Sequence, residues 1–247
     1  MNMTGNTILV TGAGSGIGRE LARRFSALGN TVIATGRRAE ALAGTAAGDP
    51  RIHAWPLDVA DPDAVARFAG EVVAAHPRLN VLVNNAGIMR SEDLTRRRDL
   101  ADAEATIATN LVAPIRLTNA LIDHLVAQPG AAIVNVTSGL AFVPLSRTPT
   151  YNATKAALHS YTVSLRTQLA GRVEVIEVAP PAVRTELTPG QSTREGFMPL
   201  DEFIDETMAL FHRQPTPEEI LVERVGFLRW AERDGHFDRA VEMLAAQ

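Results

Sequence analysis

Short runs of apolar, often β-branched residues recur along the chain, separated by longer segments whose apolar positions repeat at helical spacing. The runs at 7–10, 31–35, 52–57, 81–84, 132–137 and 173–178 predict strands. Several are apolar on both faces, as a parallel sheet covered by helices on each side requires. After the first run, Ile17, Leu21, Phe25 and Leu28 mark one helix face, and Gly29-Asn30 supplies a stop. Asp61-Pro62 is a helix start, an N-cap with proline at the first helical position, for a segment carrying Val65, Phe68, Val72 and Val73. Alternating strand and helix predicts an α/β fold: one doubly wound parallel sheet, flanked by helices on both faces, with right-handed crossovers. Beyond Pro180 the pattern changes to a loop and then to amphipathic helices through Gln247, with no closing strand. Residues 1–247 read as a single domain, with 186–205 as a lid segment and 206–247 as a helical tail.

Composition narrows the functional classes. Of the 247 residues, 46% are hydrophobic and 21% charged, which suits a domain with a sizeable core. A formal charge of −4 makes neither nucleic acid nor an anionic membrane an expected partner. Without cysteine, disulfides and thiol chemistry are excluded. The six histidines show no zinc-ligand spacing, so no metal is expected. The N-terminus lacks the basic stretch of a signal peptide, and no apolar run approaches the roughly 20 residues of a membrane span. A cytoplasmic protein is the expectation.

The first strand runs into TGAGSGIG at residues 11–18, and helical spacing begins at once. Glycines permit a tight turn and close backbone approach, while a helix N-terminus offers free amides and a positive dipole to a pyrophosphate. Position makes this a nucleotide loop rather than an ordinary strand-to-helix turn. Where NAD-binding folds often place an acid after the second strand, this chain has Arg37 and Arg38. Guanidinium favours a 2′-phosphate, so NADP(H) is the preferred cofactor, with NAD(H) possible in principle if these arginines are merely solvated. Asp58 and Val59, at the end of the third strand, are placed to bracket an adenine ring.

Lys155 is the sole lysine among 24 basic side chains, and it stands four residues after Tyr151, one of two tyrosines. On a helix these positions share a face, which sets a compact ammonium beside a phenol. A cation about 4 Å away contributes roughly 4 kcal/mol at an effective dielectric of 20. That predicts a lowered tyrosine pKa and a proton-transfer site.

TGAGSGIG, NNAG at residues 84–87, Asn110, Ser138 and YNATK at 151–155, in this order and spacing, resemble the classical short-chain dehydrogenase/reductase family, over the chain from the first strand to about Thr185. The resemblance implies a Rossmann-type fold and hydride transfer between a nicotinamide and a carbonyl or secondary alcohol. It makes Tyr151 the general acid or base, with Lys155 beside it, Ser138 on the substrate oxygen and Asn110 anchoring a water. It implies cofactor contacts from Gly12, Ser15, Gly16, Ile17, Gly18, Asn85, Ala86, Gly87, Tyr151, Lys155, Pro180, Val183 and Thr185, besides the residues named above. Asn84 and Asn85 are expected to stabilise the central sheet, and the run Arg96 to Arg98 to form a solvated helix face.

Two departures stand out. Pro181 occupies the position of the family's glycine after the sixth strand, and the helical tail replaces a seventh strand. The tail points to a homodimer, joined by the long helices around Asn110 and Tyr151, more than to a tetramer. Leu140, Phe142, Val143 and Leu145, with Phe197, Met198 and Leu200 in the lid, suggest a hydrophobic ketone, aldehyde or alcohol as substrate. The leading function is an NADPH-dependent ketone or aldehyde reductase. An NAD-dependent alcohol dehydrogenase and a non-catalytic NADP(H)-binding regulator are the alternatives.

Overall fold

The computed structural model describes residues 1–246. Its elements run β1 (Thr7–Thr11), α1 (Gly16–Ala27), β2 (Thr31–Gly36), α2 (Ala39–Ala46), β3 (Ile52–Pro56), α3 (Pro62–Ala75), β4 (Leu79–Asn84), α4 (Ala101–Ile107), α5 (Ala113–Val126), β5 (Ala132–Val136), α6 (Pro149–Leu169), β6 (Glu174–Val178), α7 (Leu200–Phe211), β7 (Glu219–Ile220), α8 (Gly226–Arg229) and α9 (Phe237–Ala245). The strands form a parallel sheet in the order β3-β2-β1-β4-β5-β6-β7.

Strand periodicity divides the core. Ile8 and Val10 turn to one face, where Leu21, Phe25, Leu42 and Phe203 cover them. Leu9 turns to the other, against Val65, Phe68, Leu117 and Leu121. The expected helix start holds: the Asp61 carboxylate accepts from the Asp63 and Ala64 amides at 2.9 and 3.0 Å, with Pro62 in the first turn. β4 starts two residues before the apolar run, because buried Asn80 belongs to it and accepts from the Thr7 amide at 3.0 Å.

Three expectations need correction. The tail does contain a strand, since β7 pairs in parallel with β6 through Glu177–Glu219 and Val178–Ile220. Two residues are too few to show a period, and Ile220 among Leu221 and Val225 mimics a helix face. Arg96 to Arg98 lie in the loop between β4 and α4, where Arg98 pairs with Glu92 and Arg96 with Asp93. Finally, Val143 and Leu145 are buried against Ala231, Ala240 and Leu244, with Leu140 packed alongside. These side chains anchor the tail and do not line a substrate pocket. Residue 247, the last of the expected tail, lies outside the described residues.

Candidate active site

In an open parallel sheet, ligands bind at the carboxyl ends of the strands where the strand order reverses. Here the reversal falls between β1 and β4. A cavity of about 600 Å³ opens there. Every residue expected to touch the cofactor lines it, as do Ser138, Tyr151 and Lys155. Asn110 is the exception, wholly buried behind the wall.

The glycine loop is shaped by close backbone approach. Gly12 and Gly16 have φ of +66° and +53°, and a Cβ on Gly18 would overlap Asn85 Nδ2 and come within 2.5 Å of the Gly12 carbonyl. Asn85 pins the turn, donating from Nδ2 to Thr11 O at 2.9 Å, and the Asn85 and Ala86 amides both donate to Thr11 Oγ1 at 3.0 Å. Asn84 does serve the sheet, bonding Asn135 at 2.9 Å. At the start of α1, the N-cap Ser15 makes no side-chain cap and the first turn carries no acid. Its amides and positive dipole therefore face the cavity unneutralised. Arg37 and Arg38 follow β2 in the wall, exposed and in no ion pair among the described residues. A glycine-rich turn, a helix end without a side-chain cap and two arginines that make no ion pair among the described residues fit a phosphate-bearing dinucleotide.

At the other side of the reversal, α6 begins at Pro149 and presents Tyr151 and Lys155 one turn apart, both buried. Tyr151 shares a hydrogen bond with Ser138. The expected lowering of the tyrosine pKa is not what this geometry gives. Burial pushes the phenol up to about 12, only partly opposed by the Ser138 bond. Lys155 Nζ donates to the Val136 carbonyl at 2.8 Å and sits 5.7 Å from the Tyr151 ring centre. Burial lowers its pKa to about 8, against the pull of Glu177.

Asn110 occupies a π-helical turn, Ala108–Val112, between α4 and α5. Its Oδ1 accepts from the Ile88 amide at 2.9 Å, and its Nδ2 donates to the Ile88 carbonyl at 2.8 Å and to Thr154 at 3.3 Å. The side chain thus ties the loop after β4 to α6. Gly87 lies between it and Lys155: a Cβ there would be 3.4 Å from Asn110 Oδ1 and 3.7 Å from Lys155 Nζ. Pro181 also lines the cavity, and the chain entering it is fixed where the Gly139 amide donates to the Pro180 carbonyl at 2.8 Å.

Three residues escaped the sequence reading. Glu92, from the loop after β4, accepts from the Thr150 amide at 2.9 Å and the Thr150 hydroxyl at 2.8 Å, capping the first turn of α6 beside Tyr151. Gln191 is buried in the lid and donates to the Val183 carbonyl at 2.8 Å and to Thr185 at 3.2 Å. Glu177, fully buried on β6, bonds Thr137 and His159. No local motif marks any of them. The ligand-type atoms of His159, Glu177 and Glu219 also lie within 4.8 Å of one another, a trio that spacing along the chain did not reveal. Glu219, however, is held by Arg229 at 2.9 Å.

A dinucleotide-shaped cleft with a buried Ser-Tyr-Lys set at its end defines a nicotinamide-type oxidoreductase site. The chain belongs to the short-chain dehydrogenase family, whose model matches residues 6–196. It is therefore an oxidoreductase of the class that interconverts alcohols and carbonyls. It is 42% identical over 252 residues to a Bacillus subtilis (strain 168) protein described as uncharacterized oxidoreductase DltE, covering 100% of this chain and 99% of that one. Sulfoacetaldehyde reductase 2 of Chromohalobacter salexigens is 39% identical over 186 residues, 73% of this chain and 74% of the relative. A solved short chain dehydrogenase from Burkholderia cenocepacia J2315, in complex with NADP, superposes with a TM-score of 0.82 at 26% identity over the whole of both chains.

Proposed function

We propose that the chain is an NADPH-dependent reductase of a small aldehyde or ketone. The observation that carries this reading is the cavity in which two arginines, unpaired among the described residues, and a buried Ser138-Tyr151-Lys155 set share one wall system. The Burkholderia cenocepacia structure, solved with NADP, supports the choice of cofactor. NADPH would be held by the glycine loop, Arg37 and Arg38, Asp58 and Val59, the stretch from Asn85 to Gly87, and Pro180, Val183 and Thr185. When bound, it supplies the hydride. Ser138 orients the substrate oxygen as charge develops on it. Tyr151, neutral at physiological pH, gives the proton to that oxygen. Lys155 supplies a cation beside the phenol, and Asn110, by tying the loop after β4 to α6, keeps that arrangement in place.

The substrate is where this reading parts from a hydrophobic one. The apolar residues before Tyr151 pack the tail, while Ile88 and Leu187 share the cavity wall with Arg90, Asp102 and Glu186. That mixed lining, together with a relative named for sulfoacetaldehyde, favours a small carbonyl compound bearing polar groups. The lid at 186–205 closes over it, within one functional unit spanning 1–247. We take the assembly as a cytoplasmic homodimer through α5 and α6, on which Ile115 and Val163 are exposed. Among the described residues no helix is long and apolar enough to cross a membrane.

Paired calorimetric titrations with NADPH and NADH test the cofactor assignment. The expected result is NADPH binding at least tenfold tighter, about 1.4 kcal/mol. In Arg37→Ala that advantage should vanish while NADH affinity holds. Equal losses for both cofactors would remove the phosphate role, and turnover of alcohols with NAD alone would favour the alcohol dehydrogenase instead.

A further inference from the structure

The reaction as derived leaves one buried acid without a task. Glu177 lies in the middle of β6, wholly inaccessible to solvent. A carboxylate in that position must be compensated, and its partners are specific. Thr137, the residue after β5, donates its hydroxyl to Oε1 at 2.6 Å. His159 places Nδ1 at 2.8 Å from Oε2. The carboxylate therefore sits under α6, in contact with the helix one turn beyond Lys155, because 155 and 159 share a face. Lys155 reaches the same stretch of sheet from the same helix: its Nζ binds the carbonyl of Val136, the residue before Thr137 and the sheet partner of Val178.

The charged groups around this point form a seam from the active site to the surface. Tyr151, Lys155 and His159 face it from α6, Glu219 from β7 and Arg229 from α8. The His159 ring packs edge-on to Phe142 with centres 5.0 Å apart, and Arg229 covers the other part of Phe142 at 4.6 Å. His159 is partly exposed and Glu177 is not, so the carboxylate itself is shielded from water. The pull of the carboxylate on Lys155, and its pull on His159, are both felt as raised proton affinities, though burial wins at the lysine.

We propose that Glu177 is a positioning residue for the active site, the buried counter-charge that keeps Lys155 an ammonium beside Tyr151, with Thr137 and His159 fixing its carboxylate. The role extends the reductase reading and rests on it for its meaning, but not for its test. A neutral lysine would leave no positive charge beside the phenol, so the acid acts on the reaction through Lys155 and without touching substrate.

The single lysine makes the charge state directly readable. Lysine-selective 13Cε labelling yields one resonance, whose shift against pH reports Lys155 alone, in protein free of cofactor and substrate. Glu177→Gln keeps an acceptor for Thr137 and removes the charge, and the lysine midpoint should fall by about one pH unit, a tenfold change in ammonium acidity. Glu177→Asp, which retains charge, should stay close to wild type. Asp234→Asn, a neutralisation on the exposed surface outside the contacts of Glu177, should leave the midpoint where it was. If Glu177→Gln does not fold, Glu177→Met serves, because the Thr137 hydroxyl also reaches the Val178 carbonyl at 3.4 Å and is not stranded. An unmoved midpoint in the neutral variants, an equal fall in Glu177→Asp, or an equal fall in Asp234→Asn overturns the proposal. Failure of the reductase reading would show elsewhere, as full turnover by Tyr151→Phe with the lysine shift intact.

Discussion

Tyr151 is buried as a neutral phenol, and that state suits a donor more than a base. With its pKa pushed up to about 12, the proton is present across the neutral range, so reduction has no need of a special pH to load it. Abstracting a proton from an alcohol would require the scarce phenolate. Carbonyl reduction should accordingly hold its rate from neutral pH upward until the Lys155–Tyr151 pair begins to lose protons, whereas alcohol oxidation should climb with pH. Replacing Tyr151 with Phe removes the proton and leaves the ring. Steady-state turnover should fall roughly 10²–10⁴-fold, while NADPH affinity measured by fluorescence stays within a few-fold of wild type. Retained turnover would show that another group delivers the proton.

At the scale of elements, α6 is held in place by residues far away in sequence. Glu92 is nearly inaccessible, receives the amide and hydroxyl of Thr150 and pairs with Arg98. Burial alone would raise its pKa, but the Thr150 and Arg98 bonds outweigh it and the value is lowered. A carboxylate lowered in the fold contributes stability that is complete above its unfolded pKa and lost as pH falls through the folded one. Glu92→Gln should therefore cost about 1–3 kcal/mol at neutral pH, with the gap in melting temperature closing in acid below the ordinary glutamate range. A gap that persists unchanged in strong acid would rule out this charge as the cause. The same contacts explain what could be read beforehand. Strands β1 to β6, the glycine loop and the Tyr151–Lys155 turn are local patterns of period, spacing or residue type. Glu92, Gln191 and Glu177 act through partners 58, 8 and 40 residues away, so nothing in their own neighbourhoods announces them. Asn110 interrupts an apolar stretch of sequence, but its grip on Ile88 depends on a π-helical turn that periodicity does not encode. The residues from 140 to 145 were legible as apolar and misassigned in destination, because sequence gives no sign that the tail folds back onto them.

Across the whole molecule, the apolar surface that is not used in the three cores lies partly on the helices beside the active site. Ile115 on α5 and Val163 on α6 are more than a third exposed. Sedimentation velocity should find a dimer, and Val163→Glu should shift it toward monomer with little change in circular dichroism. A wild-type monomer would exclude this interface. The tail, for its part, is bound to catalysis by packing: α9 buries Ala240 and Leu244 against the segment that leads into Tyr151.

The burial of Lys155 has a use outside chemistry. A protease that cuts only after lysine has a single possible target in this chain, the bond between Lys155 and Ala156, in the N-terminal part of α6 where Lys155 is 4% exposed. The native protein should resist it, and each opening of α6 should yield the same two fragments with no secondary cleavage. The rate at which that pair appears on a gel is then a clock for the opening of one helix. Ligands that bind the cleft should slow it, and ligands that do not should leave it running at the same pace.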